Sequence, residues 1–117
     1  MTECSLTSLR CTPCCGGIPP MTREEAEKRL NGIPGWDLDE AGTAISRRFS
    51  WKTFAEALAF ANRVGAIAEE QGHHPTLTVG WGFCRVELKT HKIKGLHDND
   101  FIMATLINGL SAGSGPG

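Results

Sequence analysis

The chain has 117 residues with 12 basic and 13 acidic side chains, a formal charge of −1 and a hydrophobic content of 40%. This is enough apolar material for one small core but not for separate cofactor and substrate domains. The near-neutral charge excludes a surface built to neutralise a run of phosphates, so nucleic acid is not an expected ligand. No apolar run reaches bilayer length, and the first residues lack the apolar core and cleavage pattern of a secretion signal. A cytoplasmic protein with no membrane partner is expected.

Four of the five cysteines, Cys4, Cys11, Cys14 and Cys15, fall in MTECSLTSLRCTPCCGGIPP. That segment has Pro and Gly turn signals and no sustained apolar period, so residues 1–20 are expected to form a flexible leader. Cys11 and Cys14 have metal-ligand spacing, but a closed zinc site needs a second ligand pair and none follows within the segment. A mobile, reduced arm is the plainer expectation, with Cys84 an ordinary small apolar strand residue.

A single domain is expected over residues 21–110. In TREEAEKRLNG, Thr22 and Glu25 have capping-box spacing and Gly32 supplies a stop, which predicts a short helix. GWDLDEAGTAISRRFS alternates Trp36 with Leu38, turns through Glu40 to Gly42, and alternates Ile45, Arg47 and Phe49, the pattern of a β-hairpin. Ser50 is placed to cap the next helix, with Phe49 and Phe54 as a hydrophobic staple. Phe54, Leu58, Ala61, Val64 and Ala68 then recur at helical spacing, predicting an amphipathic helix from Trp51 to about Gln71 with these residues on its buried face.

Gly72 suits a left-handed helix end, and Pro75 pushes His74 toward an extended backbone. Leu77, Val79 and Trp81 alternate, Gly80 and Gly82 permit a reversal, and Cys84, Val86 and Leu88 alternate on the return. With the turn near Gly82, paired residue numbers sum to about 164, which brings His91 opposite His73. GLHDNDFIMATLINGL carries a broad apolar face and predicts a last helix starting near Asp98, with Asp100 in its first turn, where a carboxylate can bond an unpaired amide. His97 is placed to cap that helix, and residues 111–117 are expected to be a flexible tail. The element order is therefore α-β-β-α-β-β-α.

Histidine titrates nearest neutrality, so two imidazoles facing one substrate can hold a proton to donate and a lone pair to accept one. The competing chemistry is a metal site using the histidines and Asp100. Adjacent residues in an extended backbone point to opposite faces, so His73 and His74 are poorly disposed to chelate one ion, and acid-base work is the preferred reading. The plainest alternative is that these are polar side chains at exposed loop ends. Lys89, Lys92 and Lys94 read as a solvated rim, with no glycine-rich helix entry beside them.

His73-His74-Pro75, the aromatic Trp81, alternating Val86 and Leu88, Thr90-His91, Gly95-Leu96 and Asp100 together resemble the signature of the pterin-4a-carbinolamine dehydratases, with weaker similarity from about Met21 to Asn108. The resemblance implies an α+β fold, a four-stranded antiparallel sheet carrying three helices. It also implies dehydration of 4a-hydroxytetrahydropterin to quinonoid dihydropterin, recycling the cofactor of aromatic amino acid hydroxylases without a metal or cofactor of its own. By the same resemblance His73 and His91 are the acid-base pair, and His74, Pro75, Asp100, Glu69 and Trp81 serve substrate binding. A homo-oligomer, dimer or tetramer, is implied as well. Two positions depart from the pattern: Leu77 stands where a Trp is frequent, and His97 where Ser or Thr is frequent. Proteins similar to this family also act without catalysis, as coactivators or assembly factors, and that alternative stays open.

Overall fold

The computed structural model describes residues 19–114, with side chains described to residue 110. The leader cysteines Cys4, Cys11, Cys14 and Cys15 lie outside the described residues. Thr22 opens helix α1 (Arg23–Leu30) through the expected reciprocal cap: its hydroxyl accepts from the Glu25 amide at 3.1 Å, and Glu25 Oε1 accepts from the Thr22 amide at 2.9 Å. Two amides that the first turn cannot satisfy are thereby bonded. The helix ends one residue before the expected stop, on Asn31 in helical geometry, with the Gly32 amide still bonding Arg29 O at 3.0 Å.

Strands β1 (Asp37–Leu38) and β2 (Ile45–Ser50) form the first hairpin. Helix α2 (Phe54–Gln71) follows, then strands β3 (Thr76–Gly80) and β4 (Phe83–Leu88), a single 3₁₀ turn at His91–Ile93, and helix α3 (Asp98–Ser114). The four strands make one sheet in the order β1-β2-β4-β3, antiparallel throughout, so the expected α+β fold and the order α-β-β-α-β-β-α are both found. The α3 backbone continues helically to Ser114, past the boundary expected at residue 110.

Period-two alternation buries one face of the sheet: Ile45 and Phe49 from β2, and Cys84, Val86 and Leu88 from β4. Phe60, Val64 and Ala68 of α2 and Phe101, Met103, Ala104 and Ile107 of α3 pack against that face in one cluster. Burial pushes the Cys84 thiol up from its ordinary range, as befits an unreactive core residue.

Ala61, Val64 and Ala68 of α2 are buried as expected, but the start of the helix and the first turns of its buried face differ from the expectation. The cap is Thr53, whose hydroxyl accepts from the Glu56 amide at 3.1 Å, and not Ser50, which is still the last residue of β2. Phe54 and Leu58, expected inside, are 45% and 43% exposed, because the stripe that wins is Ala57, Phe60, Ala61, Val64 and Ala68. Phe60 decides the rotation: its ring centroid lies 4.5 Å from that of Phe49 and 4.7 Å from that of Trp51, a cluster that supplants the Phe49–Phe54 staple.

The second hairpin closes one residue tighter than expected. Thr76 pairs with Glu87 and Gly80 with Phe83, leaving Trp81 and Gly82 as the turn. Gly82 sits at φ +77, and its carbonyl accepts from the Trp51 amide at 2.8 Å, which ties the turn to the entry of α2. The last pair toward the open end is Thr76 with Glu87, so paired numbers sum to 163, within one residue of the expected value of about 164. Near that end the chain entering α1 lies against Gly95: a methyl there would stand 2.4 Å from Pro20 Cβ, and the Met21 amide donates to Leu96 O at 2.9 Å.

Candidate active site

The end of α2 sets the first pair of histidines. Gly72 takes the left-handed conformation at φ 68 and donates its amide to Ala68 O at 2.9 Å, and the His73 amide bonds the same carbonyl at 3.2 Å. The chain therefore leaves the helix abruptly and delivers His73, His74 and Pro75 just ahead of β3. Across the hairpin mouth, Thr90 exchanges backbone hydrogen bonds with Gly95 at 2.8 and 3.4 Å, closing a tight loop that presents His91 and leaves Lys94 at φ 54. The first turn of α3 then brings in Asp100.

Asp100 is fully buried and joins three elements. Its Oδ1 lies 2.7 Å from His73 Nε2, while its Oδ2 accepts from the Thr90 hydroxyl at 2.8 Å and from the His97 amide at 3.0 Å. An ionised carboxylate only accepts, so His73 donates from Nε2 and its proton-free lone pair is at Nδ1. The His73 side chain retains 13% exposure, enough to keep one edge of the ring at the surface of the hairpin mouth. His74 is held differently: its Nε2 lies 2.6 Å from Glu69 Oε2, with both side chains largely exposed. The vicinal imidazoles thus turn to separate carboxylates, as an extended dipeptide requires.

His91 begins the 3₁₀ turn and is exposed, one residue beyond Thr90, and Pro75 is half-buried beside the histidines. The structure separates Trp81 from this group. It is the turn residue at the closed end of the same hairpin and is 77% exposed, so all five residues of β3, about 17 Å of strand, lie between it and the mouth. Within one chain Trp81 does not join the histidines. Thr90 is the residue that sequence reasoning passed over: it belonged to the motif but received no role, and its hydroxyl is a donor to Asp100. His97 does cap α3, through its ring: Nδ1 accepts from the Asn99 amide at 3.0 Å.

The arrangement holds one imidazole in a fixed tautomer on a buried carboxylate and a second imidazole, His91, on the loop that the same carboxylate anchors through Thr90. Residues 19–110 match the family model described as pterin 4 alpha carbinolamine dehydratase. A protein of Methylococcus capsulatus provisionally named pterin-4-alpha-carbinolamine dehydratase is 56% identical over 112 residues, covering 96% of this chain and 98% of that one. One from Cupriavidus pinatubonensis with the same provisional name is 52% identical over 108 residues, covering 92% and 93%. Among solved structures, a transcriptional coactivator/pterin dehydratase from Brucella melitensis superposes with a TM-score of 0.73 at 30% identity, over 78% of this chain and 97% of that one. A pterin dehydratase-like RuBisCO assembly factor of the alpha-carboxysome has a TM-score of 0.57 at 20% identity, over 66% and 89%, and attests the fold alone. With nearly all of its described length matched, the chain belongs to the pterin 4 alpha carbinolamine dehydratase family.

Proposed function

We propose that this protein dehydrates 4a-hydroxytetrahydropterin to quinonoid dihydropterin and water, with His73 and His91 as the acid-base pair. The observation that carries this reading is the 2.7 Å contact between His73 Nε2 and the buried Asp100 carboxylate. With Nε2–H held on the carboxylate, Nδ1 is the nitrogen that accepts a proton whenever the ring is neutral. In the reaction one imidazolium gives its proton to the departing 4a-hydroxyl and the C4a–O bond breaks. The N5 electron pair closes the C4a=N5 double bond, and the other imidazole takes the N5 proton. Atoms balance with water as the only second product, and no electrons leave the pterin. His74, steadied by Glu69, is read as a substrate-holding group with Pro75 as the adjacent wall, and Asp100 orients His73. The product would return, after reduction, to an aromatic amino acid hydroxylase.

Self-association belongs to the same proposal. Strand β3 is an edge of the sheet, and Phe54, Leu58 and Trp81 are large apolar side chains left exposed. A dimer or tetramer would cover them, and a role for Trp81 in substrate binding requires that it reach the site of a second copy. The coactivator half of the Brucella protein's description favours a second, non-catalytic reading of the same scaffold.

The test is dehydration of freshly generated 4a-hydroxytetrahydropterin. His91→Ala should lower turnover by about 10²-fold or more with the fold intact, since a positioned general acid or base contributes about 10²–10⁴. His74→Ala should raise KM more than it lowers kcat. A folded variant with alanine at His73, His74 and His91 that keeps full activity would refute the site. One that loses activity yet supports a partner protein's function would establish the non-catalytic role.

A further inference from the structure

The chain entering α1, the second half of α1 and the start of α3 enclose an open recess of about 630 Å³, within the range of small-molecule sites, whose walls include Met21, Lys28, Leu96 and His97. His97 is only 6% exposed. Because its Nδ1 accepts the Asn99 amide at 3.0 Å, its proton is on Nε2, and that N–H has no hydrogen-bond partner among the described residues. Native proteins rarely leave a buried donor unmatched.

The charges around the recess are unevenly matched. Glu25 is taken by the capping box, accepting from both the amide and the hydroxyl of Thr22 at 2.9 and 3.1 Å. Asp98 is paired with Arg29. Lys28 is exposed, with Glu24 one turn before it, and makes no ion pair among the described residues, so the buried His97 N–H is the one donor of this wall left without an acceptor there. The unmatched His97 donor calls for an acceptor, and Lys28 on the same wall favours one that carries negative charge. Pro20, Met21 and Leu96 add apolar wall, which suits an organic body better than a bare inorganic ion. We propose that this recess binds a small organic carboxylate, whose oxygens accept from His97 Nε2–H and pair with Lys28 while its apolar part lies on Met21 and Leu96.

Benzoate is a suitable probe, titrated into the full chain with the His97 imidazole nitrogens followed by NMR. The expected result is a saturable shift of the His97 Nε2–H signal. Lys28→Gln should weaken binding about tenfold, and so should His97→Ser, which keeps a capping oxygen for the Asn99 amide but lacks the donor. Acetate should bind more weakly than benzoate for want of the apolar body, and benzyl alcohol for want of the charge. The proposal is overturned by a linear, non-saturating response to benzoate, or by unchanged affinity in both variants. Inorganic phosphate or benzyl alcohol binding as tightly as benzoate overturns it too. Because the readout is binding and not turnover, these outcomes are independent of whether the histidine mouth is a dehydratase site.

Discussion

Replacing Asp100 with Asn tests the orientation of His73 with almost no change in shape. The carboxylate is fully buried and takes three hydrogen bonds, from the Thr90 hydroxyl at 2.8 Å, the His97 amide at 3.0 Å and His73 Nε2 at 2.7 Å. The single oxygen of Asn can still accept from Thr90 and His97, which are both on the Oδ2 side. Its NH₂ then replaces Oδ1 and faces His73 Nε2, donor against donor. The imidazole escapes the clash by moving its proton to Nδ1, and the nitrogen that should accept the pterin proton is then already occupied. A base in the wrong tautomer forfeits most of what general catalysis supplies, so kcat for dehydration should fall by about 10²–10³-fold with KM nearly unchanged. Stability should drop by about 1–3 kcal/mol as three charge-assisted bonds become ordinary ones. Stopped-flow dehydration kinetics and a urea melt measure the two effects, and the imidazole nitrogen shifts of His73 report the tautomer directly. If Asp100→Asn flips the tautomer and turnover stays within about threefold of the parent, then His73 Nδ1 is not the reacting atom.

Asn108→Ala should destabilise the protein by about 1–3 kcal/mol, because Asn108 Oδ1 accepts from both Trp36 Nε1 at 2.8 Å and Arg47 Nη1 at 2.7 Å, and Trp36 is buried. A change below about 0.5 kcal/mol in chemical denaturation would contradict that accounting. Gly95→Ala should loosen the chain entering α1, since the new methyl would stand 2.4 Å from Pro20 Cβ, and faster hydrogen exchange at the Met21 amide, bonded to Leu96 O, would report it. Burial alone would raise the Asp39 carboxyl, but hydrogen bonds from the backbone of Thr43, Ala44 and Gly42 and from the Thr43 hydroxyl hold it below the ordinary value. Its contribution to stability is therefore complete above the unfolded carboxylate range, near ~4, and is lost as pH falls through the lowered folded value. Asp39→Ala should lie below the parent at neutral pH and converge with it in acid. A gap that stays constant down the pH scale would show that the turn does not depend on the charge.

Elements governed by local rules were legible in the sequence. The Thr22–Glu25 capping box, the left-handed Gly72 and the alternation of Cys84, Val86 and Leu88 depend on residues within a few positions of one another, and each is found. The first turns of α2 were not, because Phe54 and Leu58 satisfy helical spacing with Ala61, Val64 and Ala68 as well as Ala57 and Phe60 do, and the cluster of Phe60 with Phe49 and Trp51 of the preceding segment selects between them. The hairpin register fell within one residue of the expected sum, and its last step has a related cause. Gly80 and Gly82 both permit a reversal, and the bond from the Trp51 amide to Gly82 O, made from outside the hairpin, accompanies the tighter turn.

Asp100 explains why local and functional readings of one residue need not compete. In the sequence it reads as a first-turn carboxylate that bonds an unpaired amide, and Oδ2 does this by accepting from His97 three residues earlier. The other oxygen reaches His73, 27 residues away in the chain, and nothing in the local spacing announces it. Ser or Thr would serve the first purpose, but a single hydroxyl cannot accept from the amide and from Thr90 while also facing an imidazole on its far side. Glu would lengthen the arm and move both contacts in a fully buried site. A short, two-oxygen, ionised side chain is what both tasks require together. One group therefore both braces the start of α3, beside the His97 ring cap, and sets the tautomer of His73, and a change that spares the helix while altering the second oxygen separates the two tasks.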